Sequence, residues 1–172
     1  MTDLARWLAA VYARDLSTLR LEIEAYPSDA ELWKLVPGIS NSGGNLALHL
    51  SGNLQHFIGA VLGKSGYVRN RDAEFASRDK SRADLVRDVD AALAVVPRTV
   101  QGLDAGTLSG QYPLAVANMR LTTGDFLLHL ATHFAYHLGQ LDYHRRVVTG
   151  GAALGSALSP TRLATAAPEP TA

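Results

Sequence analysis

The chain contains no cysteine. Disulfides, thiolate nucleophiles and thiolate metal ligands are therefore excluded, and the redox compartment is left open. Neither charge is in excess: 16 basic residues are matched by 16 acidic ones over 172 positions. A nucleic-acid surface needs a basic stripe to neutralise phosphates, so no nucleic-acid partner is expected. No apolar run approaches the ~18 residues that span a bilayer, so no membrane partner is expected either. The N-terminus shows no basic segment leading into an uninterrupted apolar stretch, the pattern of a secretory signal. A cytoplasmic location is the default expectation. Strand patterns are also scarce. Leu114 to Leu121 alternates weakly, but it stands alone and gives a sheet nothing to build on.

What is present is helical periodicity. The length and the 47% hydrophobic content suit one domain with a full core. Leu4, Leu8, Val11, Tyr12, Leu16, Leu19 and Ile23 recur at three- and four-residue spacings before Pro27. A second helix is expected from about Asn45 to Leu62, with Gly63 as its stop. Residues 64–80 are polar and aperiodic, and read as a long connection. Ser81 and Asp84 form a capping pattern for a third helix, in which Pro97 is a point for a kink or an end. Thr122 and Asp125 cap a fourth, from about Thr123 to Val148. The predicted fold is all-α, an antiparallel four-helix bundle with long irregular connections. Residues 1–149 form the domain, and residues 150–172 a flexible tail rich in Gly, Ala, Pro and Thr.

The six histidines bear on one question. On the fourth helix, His129, His133, Tyr136, His137, Gln140 and His144 fall on one stripe roughly 100° wide. Between Phe126 and Leu141 that helix has no charged residue, which predicts burial on most sides. Buried imidazoles need partners. Two histidines four apart project to the same side and can share one ion, with metal–nitrogen distances of about 2.0–2.1 Å for zinc. The second helix supplies a facing His49, with Asn53 and His56 near the same direction. His144, near the helix end, and His56 read as bystanders. On spacing alone, His129 with His133 serves as well as His133 with His137.

The string His129-Leu-Ala-Thr-His133-Phe-Ala-Tyr-His137-Leu-Gly-Gln140 resembles the fourth-helix signature of the DinB/YfiT-like metalloprotein family. His49-Leu-Ser-Gly-Asn53 is similar to its second-helix counterpart. The connection Arg69-Asn-Arg71-Asp72-Ala-Glu74-Phe75 resembles an uncharacterised branch. The likeness runs from about Leu4 to Val148. It implies a bundle, often a homodimer, that binds zinc, nickel or a related divalent ion through one residue of the second helix and two of the fourth. Matched residue by residue, these are His49, His133 and His137, which precede the Gly139-Gln140 pair as the family's ligands do.

Some relatives transfer low-molecular-weight thiols such as bacillithiol or mycothiol to small electrophiles. A chain without cysteine suits that role, because the nucleophile arrives with the cosubstrate and a metal lowers the thiol pKa. In that reading Arg71 binds a carboxylate of the thiol. A metal-dependent hydrolase would need a general base. No carboxylate is obvious for that role on either histidine-bearing helix, since Asp142 points away from the histidine stripe, although Asp72 or Glu74 could reach in from the connection. A non-catalytic metal-binding stress protein is the third reading.

Overall fold

The computed structural model describes residues 2–155 and 158–169. Seven α-helices follow one another: α1 (Asp3–Glu24), α2 (Asp29–Leu32), α3 (Gly43–Leu54), α4 (Arg71–Ala76), α5 (Arg82–Gln101), α6 (Ala105–Ser109) and α7 (Thr123–Thr149). The all-α expectation holds. Among the described residues the only β pairing is two isolated bridges, Gln111 with Thr122 and Val116 with Met119. α3 does not stop at Leu54 but widens into a π-helical continuation, Gln55–Leu62.

The helix starts are chemically specified. Thr2, Ser42, Ser81 and Thr122 each accept a hydrogen bond from a backbone N–H of the first turn. At Ser42 and Ser81 the side chains of Asn45 and Asp84 return the bond, closing reciprocal caps. At the far end of α7, Gly150 takes a left-handed φ of 68° that terminates the helix. α5 continues past Pro97 to Gln101, so the helix does not end there. The connections also hold more structure than their sequence suggested: α2, α4 and α6 are short, one-turn elements that flat periodicity does not reveal.

Side-chain pairs give the helix directions. Arg20 reaches Asp90 while Arg82 reaches the Tyr26 carbonyl, so α1 and α5 run oppositely. His49 packs on His137 and Phe57 on Phe126, so α3 and α7 also oppose one another. Tyr12 donates to the Leu127 carbonyl at 2.5 Å and Tyr26 meets His144 at 2.7 Å, so α1 and α7 run the same way. Gln55 lies by Asp88 and Gly63 by Thr99, so α3 and α5 do too. Strict alternation of neighbours, as expected from the sequence, therefore fails for two pairs. The reason is the connection of residues 63–81. A 20-residue helix is about 30 Å long, and an extended chain covers about 3.3 Å per residue. That segment can return the chain to the end it came from.

The core lies where these helices meet. Leu8, Leu16, Leu19 and Ile23 of α1 are buried with Leu50 and Leu54 of α3, Val89 and Val96 of α5, and Phe126, Phe134 and Leu141 of α7. Each such side chain contributes roughly 1.5–3 kcal/mol when removed from water. Gly43 is required by packing: a Cβ there would overlap the Tyr26 hydroxyl and crowd His144. α7 is less enclosed than its uncharged sequence predicted. Leu128 is 48% exposed and Tyr136 and Tyr143 are each 65% exposed. Thr132, Ala135 and Gly139 are exposed as well. Its main helix contacts are with α1 and α3, with smaller ones to α2 and α6. The segment after Gly150 carries one 3-10 turn, Pro160–Arg162, in contact with α1.

One buried ion pair joins α7 to α1: Arg145 Nε stands 2.5 Å from Glu22 Oε2, with both side chains almost fully enclosed. Arg145 also donates to Asp142 and to the Ala152 carbonyl. Removing one member leaves an uncompensated buried charge, at a cost of about 3–5 kcal/mol. Arg145→Ala should lower unfolding free energy by that order in urea titrations. A change below 1 kcal/mol would show that Glu22 is satisfied otherwise.

Candidate metal centre

His49 sits in the middle of α3, and His133 and His137 lie on successive turns of α7. Because the two helices run oppositely with their polar stripes facing, the three imidazoles converge. One ring nitrogen from each lies within 4.8 Å of the others. His49 Nε2 and His133 Nε2 are 3.4 Å apart. Two nitrogens bound tetrahedrally at zinc distances are separated by about 3.3–3.4 Å.

The orientation of His49 is fixed from behind. Its Nδ1 lies 3.0 Å from Glu74 Oε2. Glu74 is gripped in turn by Arg69, whose Nε and Nη2 donate to the two carboxylate oxygens at 2.6 and 2.7 Å. Burial alone would raise the Glu74 carboxyl; hydrogen bonds from Arg69 and then His49 outweigh it and hold the group below the usual carboxylate range. The ionised carboxylate therefore takes the Nδ1 proton of His49 as a hydrogen-bond donor, leaving Nε2 as a lone pair aimed at His133. A carboxylate behind a ligating imidazole is the usual device for setting its tautomer and basicity. His137 is treated similarly: its Nδ1 is 2.7 Å from Gln140 Oε1, which frees Nε2.

Local sequence explains how Glu74 reaches this position. Asn45 Nδ2 donates to the carbonyls of Glu74 and Ser77, fastening α4 against the start of α3. Gly52, one turn beyond His49 on the Glu74 side, leaves the room; a Cβ there would run into the Glu74 carboxylate and the Tyr67 hydroxyl.

His133 is kept uncharged. Burial is the main cause, and the neighbouring His137, His49, His129 and Arg69 add to it, pushing its pKa down to about 4. Burial likewise lowers His144, against an opposing hydrogen bond to the Lys34 carbonyl, and lowers His56.

Of the residues singled out in the sequence, His49, His133 and His137 are brought together. His129 stands one turn off, 6.1 Å from His133 between ring centres and stacked on Phe126. His144 is not near a solvated end as expected. It is buried, with Tyr26 on Nδ1 and the Lys34 carbonyl at 2.8 Å from Nε2, a structural role. His56 packs on Phe57, outside the cluster. Arg71 is exposed; its guanidinium lies 5.2 Å from the Phe75 ring centre, and that ring stands 5.1 Å from His49. Glu74, considered only as a base, and Arg69, not singled out, form the support. The signal available was their five-residue spacing in a connection otherwise rich in exposed charge.

A groove of about 470 Å³ opens beside His137. Ile39, Leu46, Tyr136, Gln140 and Tyr143 are among its lining residues, none of which carries a charge.

Residues 13–153 match a family described as "Protein of unknown function (DUF1572)". The chain belongs to that family. DUF1572 is a DinB-like family, in line with the resemblance carried by the histidine strings. No curated protein and no solved structure matches the chain. Within this DUF1572 member no helix is long and apolar enough to cross a membrane, among the described residues.

Two outcomes are expected of the DUF1572 site. First, metal-free protein should lose stability as pH falls from about 6.5 to about 4. In that window the unfolded chain binds a proton at His133 that the folded chain refuses, so unfolding takes up protons and stability rises with pH. Urea midpoints measured across the window should fall on acidification, and less steeply in His133→Asn. An equal slope in both proteins would contradict the assignment. Second, Glu74→Gln should weaken divalent-metal binding by about 10–100-fold with little change in fold, read by chelator competition.

Proposed function

We propose that this DUF1572 protein is a divalent-metal-binding four-helix bundle whose ion is held by His49, His133 and His137. The observation that carries the reading is the pair of ring nitrogens 3.4 Å apart, one of them already committed as an acceptor by the Glu74 carboxylate. Lone pairs do not approach one another unless a proton or a cation lies between them. The donor set fits a borderline ion: three neutral imidazoles, with zinc and nickel both suited.

Three protein ligands are fewer than the four of a closed structural zinc site, which favours a functional centre over a purely structural one. A divalent ion there supplies Lewis-acid stabilisation to a sulfur or oxygen anion. The protein's own groups do the rest. Glu74 and Arg69 hold His49 in its ligating tautomer, Gln140 does the same for His137, and the uncharged groove beside His137 receives the apolar body of a small molecule.

Within that frame we favour transfer of a low-molecular-weight thiol to a small electrophile. The chain brings no cysteine of its own, and Arg71, exposed above Phe75, is the cation available to a thiol's carboxylate. Hydrolysis has less support, since the nearest buried carboxylate, Glu74, is already bound by Arg69 and His49. A twofold homodimer accompanies the proposal through the family resemblance.

Elemental analysis of untagged protein should find about one divalent ion per chain. His49→Ala, His133→Ala and His137→Ala should each lose tight binding, while His129→Ala and His56→Ala keep it. Full occupancy in His133→Ala would overturn the ligand set. Cobalt-loaded protein should develop a sulfur-to-metal charge-transfer band with bacillithiol, mycothiol or glutathione. No band with any of the three would set the thiol reading aside and leave the metal reading standing.

A further inference from the structure

α3 meets α7 along a stripe whose partners step backward as the chain advances. Leu46 shares a groove wall with His137 and Gln140, His49 faces His133 and His137, and Phe57 packs on Phe126. Asn53 lies four residues after His49 and four before Phe57. It therefore stands level with the part of α7 between Phe126 and His133, one helical turn along α3 from His49.

Asn53 is 8% exposed, and its Oδ1 is buried without a hydrogen-bond partner. No other buried side-chain oxygen or nitrogen among the described residues is left in that condition. Stranding an amide oxygen costs free energy that an apolar side chain of equal size would not, so this acceptor calls for a donor that the chain itself does not supply. α3 itself cannot supply the donor, because its N–H groups are spent in helical bonds. The ring that α7 offers at this level, His129, is exposed and stacked on Phe126. Immediately beyond, at Gln55, the helix widens to π geometry, a local change that recurs at functional sites.

We propose that Asn53 is a ligand-positioning residue of the metal centre, its buried amide oxygen accepting a hydrogen bond from an N–H or O–H of the small molecule that reaches the ion. This rests on the metal reading above. It selects a ligand class: molecules with a donor next to the coordinating atom, such as hydroxamic acids, amides and hydroxyl- or amino-substituted thiols.

Cobalt(II)-loaded full-length protein, titrated with acetohydroxamate and with N-methylacetohydroxamate, tests it. The two probes offer the same coordinating oxygens, and only the first has an N–H. The natural chain should bind acetohydroxamate about tenfold more tightly, as read from the cobalt visible spectrum. Asn53→Leu should erase that preference without changing cobalt affinity. Metal-free Asn53→Leu should unfold at the same temperature or higher, since nothing in the fold loses a bond. Asn53→Ala should erase the preference in the same way, whatever the packing of the leucine.

A preference that survives both substitutions overturns the inference and leaves the metal centre intact. Loss of stability in both metal-free variants would likewise overturn it, by showing the amide to be paired within the fold. If the natural chain takes up no cobalt, the metal reading falls and this inference with it.

Discussion

The Glu74 carboxylate, enclosed between Arg69 and His49, is the interaction on which the candidate site depends. A buried carboxylate is costly to ionise unless cationic or donor groups surround it. Here Arg69 supplies two donors and His49 a third. The arrangement satisfies the charge and at the same time decides which nitrogen of His49 carries its proton. A structural requirement and a chemical one are met by the same three side chains.

That chain of contacts makes the connection between α3 and α5 more than a linker. The connection has to return the chain along the length of α3 so that α5 can run parallel to it. While doing so it places α4 against the first turns of α3, where Asn45 binds its carbonyls. Gly52 then admits the carboxylate. The topology that breaks simple up-and-down alternation thus also brings Glu74 to His49.

The two ends of the cluster differ in character. Toward the start of α3 the surroundings are an uncharged, aromatic-rich groove beside His137. Toward its end stands Asn53, the one buried side-chain acceptor without a partner among the described residues. A ligand reaching the centre would meet apolar surface on one side and a hydrogen-bond acceptor on the other. This combination of apolar wall and sparse, directed polar groups is typical of small-molecule sites.

The sequence by itself determined the helices that periodicity and caps specify. Serine or threonine three residues ahead of aspartate set the starts of α5 and α7, because those side chains can satisfy orphan N–H groups within one turn. It also determined the histidine spacing, since residues four apart share a helix face whatever the fold. Pro97 does not end α5, because helix continuity at that point depends on packing more than on one missing N–H. The uncharged stretch of α7 misled, because lack of charge permits burial but does not supply a neighbour to do the burying. Only the tertiary structure could decide that His144 is a core residue held by Tyr26, that Arg69 grips the Glu74 carboxylate, and that Glu74 lies behind His49. Each of those outcomes is a contact across 5 to 118 positions of chain, fixed by where helices cross, and no local pattern encodes a crossing.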